Sequence, residues 1–493
     1  MARADESHKG RQGRKSPRPN VGTGVGFGGK SHNPASDGTR VSANAGDNTP
    51  SRSSSPKRGA GLPGGTAALA GAVISRRASD RLRSGHVWVY ASEIESLELG
   101  AGEAPALLPV ADNRGILQGT ALYSPASQIA LRLVSHQAIG EAEWLELLAE
   151  RLREAIARRA GMLSSLDRKT DSCRLCFSEA DELPGLVIDR YADLVVLQLL
   201  TKGLDSASVR ETCVRVLREE FGANRAAGIA AIPVSTIPVS TIIERPDPRI
   251  RELEGLPAPA PGPLWAADAA SPKTQTQFLI NGLSFFYDAN AGQKTGAFLD
   301  QRMNYAAAAE WAERLGATGH ALDVCCYQGG FALHLARVSK SVTGIDASHA
   351  SLEVAERNLE TNRAELSAEV DWIEADAFEI LRDWSAAGRQ FDTIVLDPPA
   401  FAKSMRAVEG ALRGYKELNL RALKMLRPGG LLVTCSCSHH VSWADLEGAV
   451  AAAAADAGAR VRLLERRGAA PDHPVVLNLP ETEYLKCLVA TRD

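Results

Sequence analysis

Long apolar runs are missing from this chain of 493 residues. None reaches the ~18–20 residues needed to cross a bilayer, so no helical membrane span is expected. The first residues also lack the apolar core of a secretory signal. A strong charge of either sign is absent: the formal net charge is −3, and the total argues for no polyanionic partner. Cys173-x-x-Cys176 has no second pair at zinc-finger spacing, so a metal site is not expected. The remaining cysteines include the close pairs Cys325-Cys326 and Cys435/Cys437, which suit reduced thiols in a cytoplasmic protein better than a disulfide framework. Neither G-x-G-x-x-G nor a P-loop Gly-Lys-Ser/Thr occurs after the glycine-bearing strand near residue 324, which argues against a dinucleotide or a nucleoside triphosphate there.

What is present points to several domains. The length exceeds a single core, and 44% hydrophobic with 23% charged residues fits globular units. Residues 1–70 are rich in Arg, Lys, Ser, Gly and Pro and nearly free of large apolar residues, so they read as a disordered basic tail. Such a tail either touches nucleic acid or is a solvated extension. Residues 71–140 show short strand-like runs, such as Val87–Tyr90, Ile116–Tyr123 and Ile129–Val134, and read as a β-rich unit. Residues 141–270 begin with a helical stripe (Trp144, Leu147, Leu148, Leu152, Ile156). They continue as a small α+β unit with a hairpin over 184–200 and a helix over 206–221. Val234-Ser-Thr-Ile237 is repeated at once as Val239-Ser-Thr-Ile242, a local duplication too short to be architectural. From 271 to 493, strand-like runs at 321–324, 341–345, 370–373, 393–396, 430–434 and 483–490 alternate with helical segments. This predicts an α/β, doubly wound, Rossmann-like sheet.

In such sheets, ligands sit beyond the carboxyl ends of the strands. The Cys325–Gly330 turn with Gly329 and Gly330, Asp346 and Asp376 mark the ends of three successive strands. Together they fit an adenosine-type ligand without a pyrophosphate, and so S-adenosylmethionine. Two further strands end in reactive groups: Ile394-Val-Leu-Asp-Pro-Pro-Ala-Phe401 and Leu431-Leu-Val-Thr-Cys-Ser-Cys-Ser438. A carboxylate and a thiol are thereby expected to face one substrate.

The order of these segments resembles class I S-adenosylmethionine-dependent methyltransferases. More narrowly, Gly292-Gln-Lys-Thr-Gly-Ala-Phe-Leu-Asp-Gln-Arg302, Asp397-Pro-Pro-Ala-Phe401, Ser436-Cys-Ser-His-His-Val441 and Asp472-His-Pro-Val475 resemble the RlmI family of large-subunit rRNA 5-methylcytosine methyltransferases. The likeness spans about residues 72–493. It implies an N-terminal PUA domain, matched by Ser84-Gly-His-Val-Trp-Val-Tyr90 and Gly119-Thr-Ala-Leu-Tyr-Ser-Pro125, and a middle α/β insert. It further implies S-adenosylmethionine as cofactor, large-subunit rRNA as partner, no membrane, a cytoplasmic setting and room for a homodimer.

By this resemblance Cys437 is the nucleophile and Asp397 orients the cytosine. Asp323, Cys325, Tyr327, Gly329, Gly330, Asp346, Asp376, Asp397, Gln293 and Thr295 would bind the cofactor. RNA would meet Lys294, Arg302, Phe401 and Lys403, with Arg81 and Trp88 on the β-rich unit. Free cysteine, with pKa ~8.5, is only about 3% thiolate at neutral pH, so Lys294, Arg302 or Lys403 would help ionise it. Related enzymes place a second cysteine just after the Asp-Pro string; here Ala400-Phe401 stands there, so water or a carboxylate must remove the carbon 5 proton. His439 and His440 would contact phosphate or cap the following helix. Two other functions stay open: methylation of a purine by the same fold, or a non-catalytic RNA-binding role in ribosome assembly.

Overall fold

The computed structural model describes residues 71–99, 106–166, 169–222, 237–291, 296–402 and 404–493. The expected basic tail thus lies outside the described residues. Strands β1 (Gly71–Ile74), β2 (Trp88–Tyr90), β3 (Ile94–Glu98), β4 (Leu107–Asp112), β5 (Leu117–Tyr123) and β6 (Ile129–Ser135) form one sheet in the order β2-β6-β5-β4-β1-β3. Helix α1 (Arg76–Arg83) starts where the Ser75 hydroxyl accepts the Ala78 N–H. Val89, Leu108, Val110 and Leu131 form the core of this unit.

The middle unit opens with α2 (Glu141–Leu166) and continues through β7 (Ser172–Phe177), β8 (Leu186–Tyr191), β9 (Leu194–Leu199), α3 (Ala207–Phe221), β10 (Thr241–Glu244), α4 (Pro248–Glu254) and β11 (Trp265–Ala266). As expected, β8 and β9 pair as a hairpin and a helix follows, α3, which Ser206 caps. Every residue of β8 and β9 is buried. The reason is cover on both faces. Trp144, Leu148 and Leu152 of α2, with Val209 and Val216 of α3, pack on one face. Phe278, Phe285 and Tyr287 meet Tyr191 and Val196 on the other. A sheet buried twice reads as continuous apolar runs rather than alternation. Cys173 and Cys176 are buried in β7, and no metal-ligating cluster exists among the described residues. Of the tandem Val-Ser-Thr-Ile copies, the second enters β10, whereas most of the first lies outside the described residues.

Those covering aromatics belong to a hairpin, β12 (Gln275–Ile280) and β13 (Leu283–Asp288), which turns at Asn281-Gly282. After α5 (Arg302–Leu315) come β14 (His320–Val324), α6 (Gly330–Leu335), β15 (Ser341–Asp346), α7 (His349–Asn362), β16 (Glu369–Glu374), α8 (Ala377–Ala386), β17 (Phe391–Leu396), α9 (Val408–Met425), β18 (Leu426–Ser436), α10 (Trp443–Ala457), β19 (Val461–Arg467) and β20 (Lys486–Arg492). The sheet order is β16-β15-β14-β17-β18-β20-β19. Its first five strands are parallel, and β20 inserts antiparallel between β18 and β19. Chain direction therefore places the carboxyl ends of β14 to β18 on one rim. All six expected strands are present. The last starts at Lys486 rather than 483, and the edge strand β19 was not expected from its sequence, Val-Arg-Leu-Leu-Glu-Arg-Arg.

Candidate active site

A cavity of about 300 Å³ lies on that rim. Its wall includes Asp323 as the last residue but one of β14 and Cys325 just after that strand, Asp346 as the last residue of β15, Asp376 after β16, Asp397 after β17 and Cys437 after β18. The turn after β14 is wound tightly, with positive φ at Cys325 (64°), Tyr327 (51°) and Gly329 (86°). Left-handed conformations at non-glycine residues cost about 1–3 kcal/mol each and persist only where the surroundings hold them. Here the Cys326 N–H bonds to the Ile345 carbonyl (2.9 Å) and the Tyr327 N–H to Asp346 Oδ2 (2.9 Å). Gly330 is required for space, since a Cβ there would lie 2.4 Å from the Tyr305 ring.

The three acids differ in what they can still accept. Asp323 is fully buried; Oδ2 takes the Ala332 N–H at 2.8 Å, whereas Oδ1 has no partner among the described residues. Burial, and next the charge of Asp397, push its carboxyl well above the usual range. A cationic N–H donor placed there would both pair the unmatched oxygen and restore the carboxylate. Asp346 accepts the Ser348 N–H on Oδ1 (2.9 Å) and the Tyr327 N–H on Oδ2, which fixes the carboxylate and leaves lone pairs on both oxygens. Asp376 uses Oδ1 to cap α8 through the Phe378 and Glu379 N–H groups (2.9 and 3.0 Å). Phe378 and Ala377 add an apolar wall beside it. An ammonium partner, two hydroxyl acceptors and a flat apolar slot suit the amino-acid tail, ribose and adenine of S-adenosylmethionine.

Asp397 and Cys437 close the cavity. The Asp397 N–H bonds to the Val324 carbonyl (3.2 Å), and its Oδ1 accepts the Gln301 amide (3.0 Å). Gln301 is itself held by Asn304 at 2.6 Å. Cys437 is half-buried, with Sγ 4.0 Å from the Pro398 carbonyl. Buried serines flank it and tie the two strand ends together. The Ser436 hydroxyl donates to the Tyr415 oxygen (2.8 Å), Ser438 Oγ lies 3.2 Å from that same oxygen, and Ser438 Oγ also accepts the Ala402 N–H (3.2 Å). Cys435 is not on the cavity wall: it opposes Cys487 across the sheet, fully buried behind Gln301, and burial pushes its thiol well above the ordinary range.

Other expected site residues fall differently. Arg302 is 2% exposed and its guanidinium bonds to Asp472 at 2.5 Å, so it is turned away from phosphate contact. Arg81 is ion-paired with Glu93 and donates to the Trp88 carbonyl at 2.8 Å. Trp88 Nε1 donates to Glu179 (2.9 Å), joining the N-terminal sheet to the middle unit. Phe401 lines the cavity but leans on Tyr415, ring centres 4.9 Å apart. Helix α10 is capped by Ser442 and Asp445, not by His439 or His440, which are exposed. Gln293, Lys294, Thr295 and Lys403 lie outside the described residues.

Two contributors escaped the sequence reading. Gln301 holds Asp397, and Lys486, 3% exposed on β20, donates to the Ser438 and Tyr484 carbonyls (3.0 and 3.1 Å). A lysine inside the apolar run Tyr-Leu-Lys-Cys-Leu-Val-Ala was the available signal, since lysine is almost never fully buried without a partner.

Residues 73–136 match the PUA-like domain family, and residues 264–487 match the family of S-adenosylmethionine-dependent methyltransferases. A protein of Shewanella denitrificans named Ribosomal RNA large subunit methyltransferase I is 36% identical over 406 residues, 82% of this chain and 95% of that protein. Its namesake from Pseudoalteromonas atlantica is 34% identical over 410 residues, 82% of this chain and 94% of that one. The chain belongs to this methyltransferase family. A methyltransferase structure solved with SAH has the same fold, with a TM-score of 0.68 at 18% identity, covering 85% of this chain and 99% of that one. A Streptococcus mutans S-adenosylmethionine-dependent methyltransferase superposes similarly, at 0.67. S-adenosylmethionine is therefore the cofactor of this family member, and the Asp323–Asp346–Asp376 cavity fits it. No helix among the described residues is long and apolar enough to cross a membrane.

Proposed function

We propose that the chain methylates carbon 5 of a cytosine in large-subunit rRNA through a covalent bond to Cys437. The observation that carries this reading is the meeting of Cys437 and Asp397 on the wall of the cofactor cavity. Kinship with proteins named as large-subunit rRNA methyltransferases supports the RNA target. Bound S-adenosylmethionine supplies an electrophilic methyl on a sulfonium. Carbon 5 of cytosine is a poor nucleophile until a thiolate adds to carbon 6. The Cys437 sulfur forms that bond, and the electron pair of the 5,6 double bond moves to carbon 5, which takes the methyl. Asp397, held by Gln301, hydrogen-bonds the ring nitrogen or amine and favours the protonated, more electrophilic ring. Loss of the carbon 5 proton to water or a carboxylate then expels the Cys437 thiolate and restores the aromatic ring.

The expected result is that Cys437→Ala abolishes methylation of rRNA transcripts while S-adenosylhomocysteine binding stays near wild type. Methylation surviving at near wild-type rate rejects the cytosine mechanism and points to a purine target. Bisulfite sequencing of rRNA with and without the gene identifies the base.

A further inference from the structure

We infer that Lys486 is a positioning residue for Cys437, holding its turn and stabilising its thiolate; this rests on Cys437 being the nucleophile. Lys486 stands on β20 opposite Ser436, the last residue of β18, so its stem rises beside the turn that carries Cys437. Its ammonium reaches over that turn to the Ser438 carbonyl (3.0 Å) and back to the Tyr484 carbonyl (3.1 Å). An ammonium has three donors, and two carbonyls leave one. Among the described residues no carboxylate lies within ion-pair distance of it. The cation is buried, yet it carries no dedicated counter-ion. Burial lowers its pKa, opposed in turn by Glu483, Cys437 and Asp445. A thiolate at Cys437 completes this arrangement, because an anion beside a desolvated cation stabilises both charged forms.

The sign follows from the other groups facing the turn. Asp397 approaches through its neighbour Pro398, whose carbonyl lies 4.0 Å from the sulfur. Tyr415 comes from α9, and Asp300 accepts the Tyr484 hydroxyl at 2.5 Å. His439 lies on the turn itself, its ring centre 5.5 Å from that of Tyr484. Glu483 and Asp445 sit toward Lys486. The carboxylates among these disfavour a thiolate, and among the described residues Lys486 is a cation placed to favour it. The bond to the Ser438 carbonyl also fixes the backbone one residue past the sulfur. Arg302, at first sight a candidate for this role, is already committed to Asp472.

The test reads the thiol directly. Full-length protein is alkylated with iodoacetamide across pH 6–10, and modification at Cys437 is followed by peptide mass spectrometry, with Cys437→Ser as the blank. The wild-type inflection is expected below the ~8.5 of a free thiol. In Lys486→Met it should rise by at least about one pH unit, close to a tenfold loss of thiolate at neutral pH, and Lys486→Arg should restore most of it. An unchanged inflection in folded Lys486→Met overturns the inference. If that variant fails to fold, the wild type decides: an inflection at or above the free-thiol value overturns the inference equally. Methylation surviving in Cys437→Ala would instead remove the nucleophile reading while leaving the alkylation shift readable.

Discussion

Asp323 shows how one residue can weaken the free protein and strengthen the complex. Its carboxyl is buried, one oxygen is unmatched, and its folded pKa lies well above the unfolded value near 4. For an acid raised on folding, stability is fully present below the unfolded pKa and is lost as pH rises through the folded one. Asp323→Asn should therefore leave the cofactor-free protein as stable at pH 7 as the wild type, or more so, by thermal denaturation. Binding moves the other way. A charge-assisted hydrogen bond is worth about 1.5–3 kcal/mol, so calorimetry with S-adenosylhomocysteine should show affinity falling about 10–100-fold. A variant that lost stability but kept affinity would show that the unmatched oxygen does not serve the cofactor.

At the level of elements, the hairpin β12–β13 carries more than its length suggests. Asn281 (φ 51°) and Gly282 (φ 80°) make its turn, which matches strand twist best when both residues are left-handed. The Asn281 amide donates to the Arg302 carbonyl at 2.8 Å, fixing the start of α5 just after Gln301. Asn281→Ala loses that bond and puts an alanine in the left-handed region, so chemical denaturation should show a loss of about 2–3 kcal/mol. Asn-Gly between apolar runs is a local signal, and this hairpin was legible but not read. The parallel strands were read because each is an apolar run ending in a polar residue. Strand β19 was not, because an edge strand carries charges along its length to blunt further pairing, and Arg462, Glu465, Arg466 and Arg467 mask its pattern. In the candidate site, the strand-end acids and Cys437 were legible because topology alone gathers strand ends on one rim. Gln301 and Lys486 were not, since their roles depend on partners 96 and 48 residues away.

Across the whole molecule, one buried charge network ties the middle unit to the catalytic sheet, and Asp472 is its centre. Its Oδ1 accepts Arg302 (2.5 Å), its Oδ2 accepts the Arg174 N–H (2.8 Å), and its carbonyl accepts Arg159 (2.9 Å). Arg159 in turn grips Asp181 through two bonds of 2.6 Å. Arg302 lay beyond sequence reasoning for this reason: its partner is 170 residues away, and an arginine beside a glycine-rich string looks like a phosphate contact. Burial alone would raise the Asp472 carboxyl, but Arg302 and His473 hold it far below the carboxylate range. For an acid depressed on folding, the stabilisation is present above the unfolded value near 4 and is lost as pH falls through the folded one. Asp472→Ala leaves Arg302 buried without its counter-charge and should cost about 3–5 kcal/mol. The damage should reach catalysis, because Arg302 adjoins Gln301 and Gln301 holds Asp397. Replacing the pair together, as Arg302→Met with Asp472→Leu, removes both charges and should recover much of the stability, since apolar pairs often match buried ion pairs. Hydrogen exchange separates a local lock from a global one. If the network joins the units, Asp472→Ala raises exchange in β7 and in the 299–301 turn together; a rise in the turn alone would show that the middle unit is held by its apolar contacts with the β12–β13 hairpin.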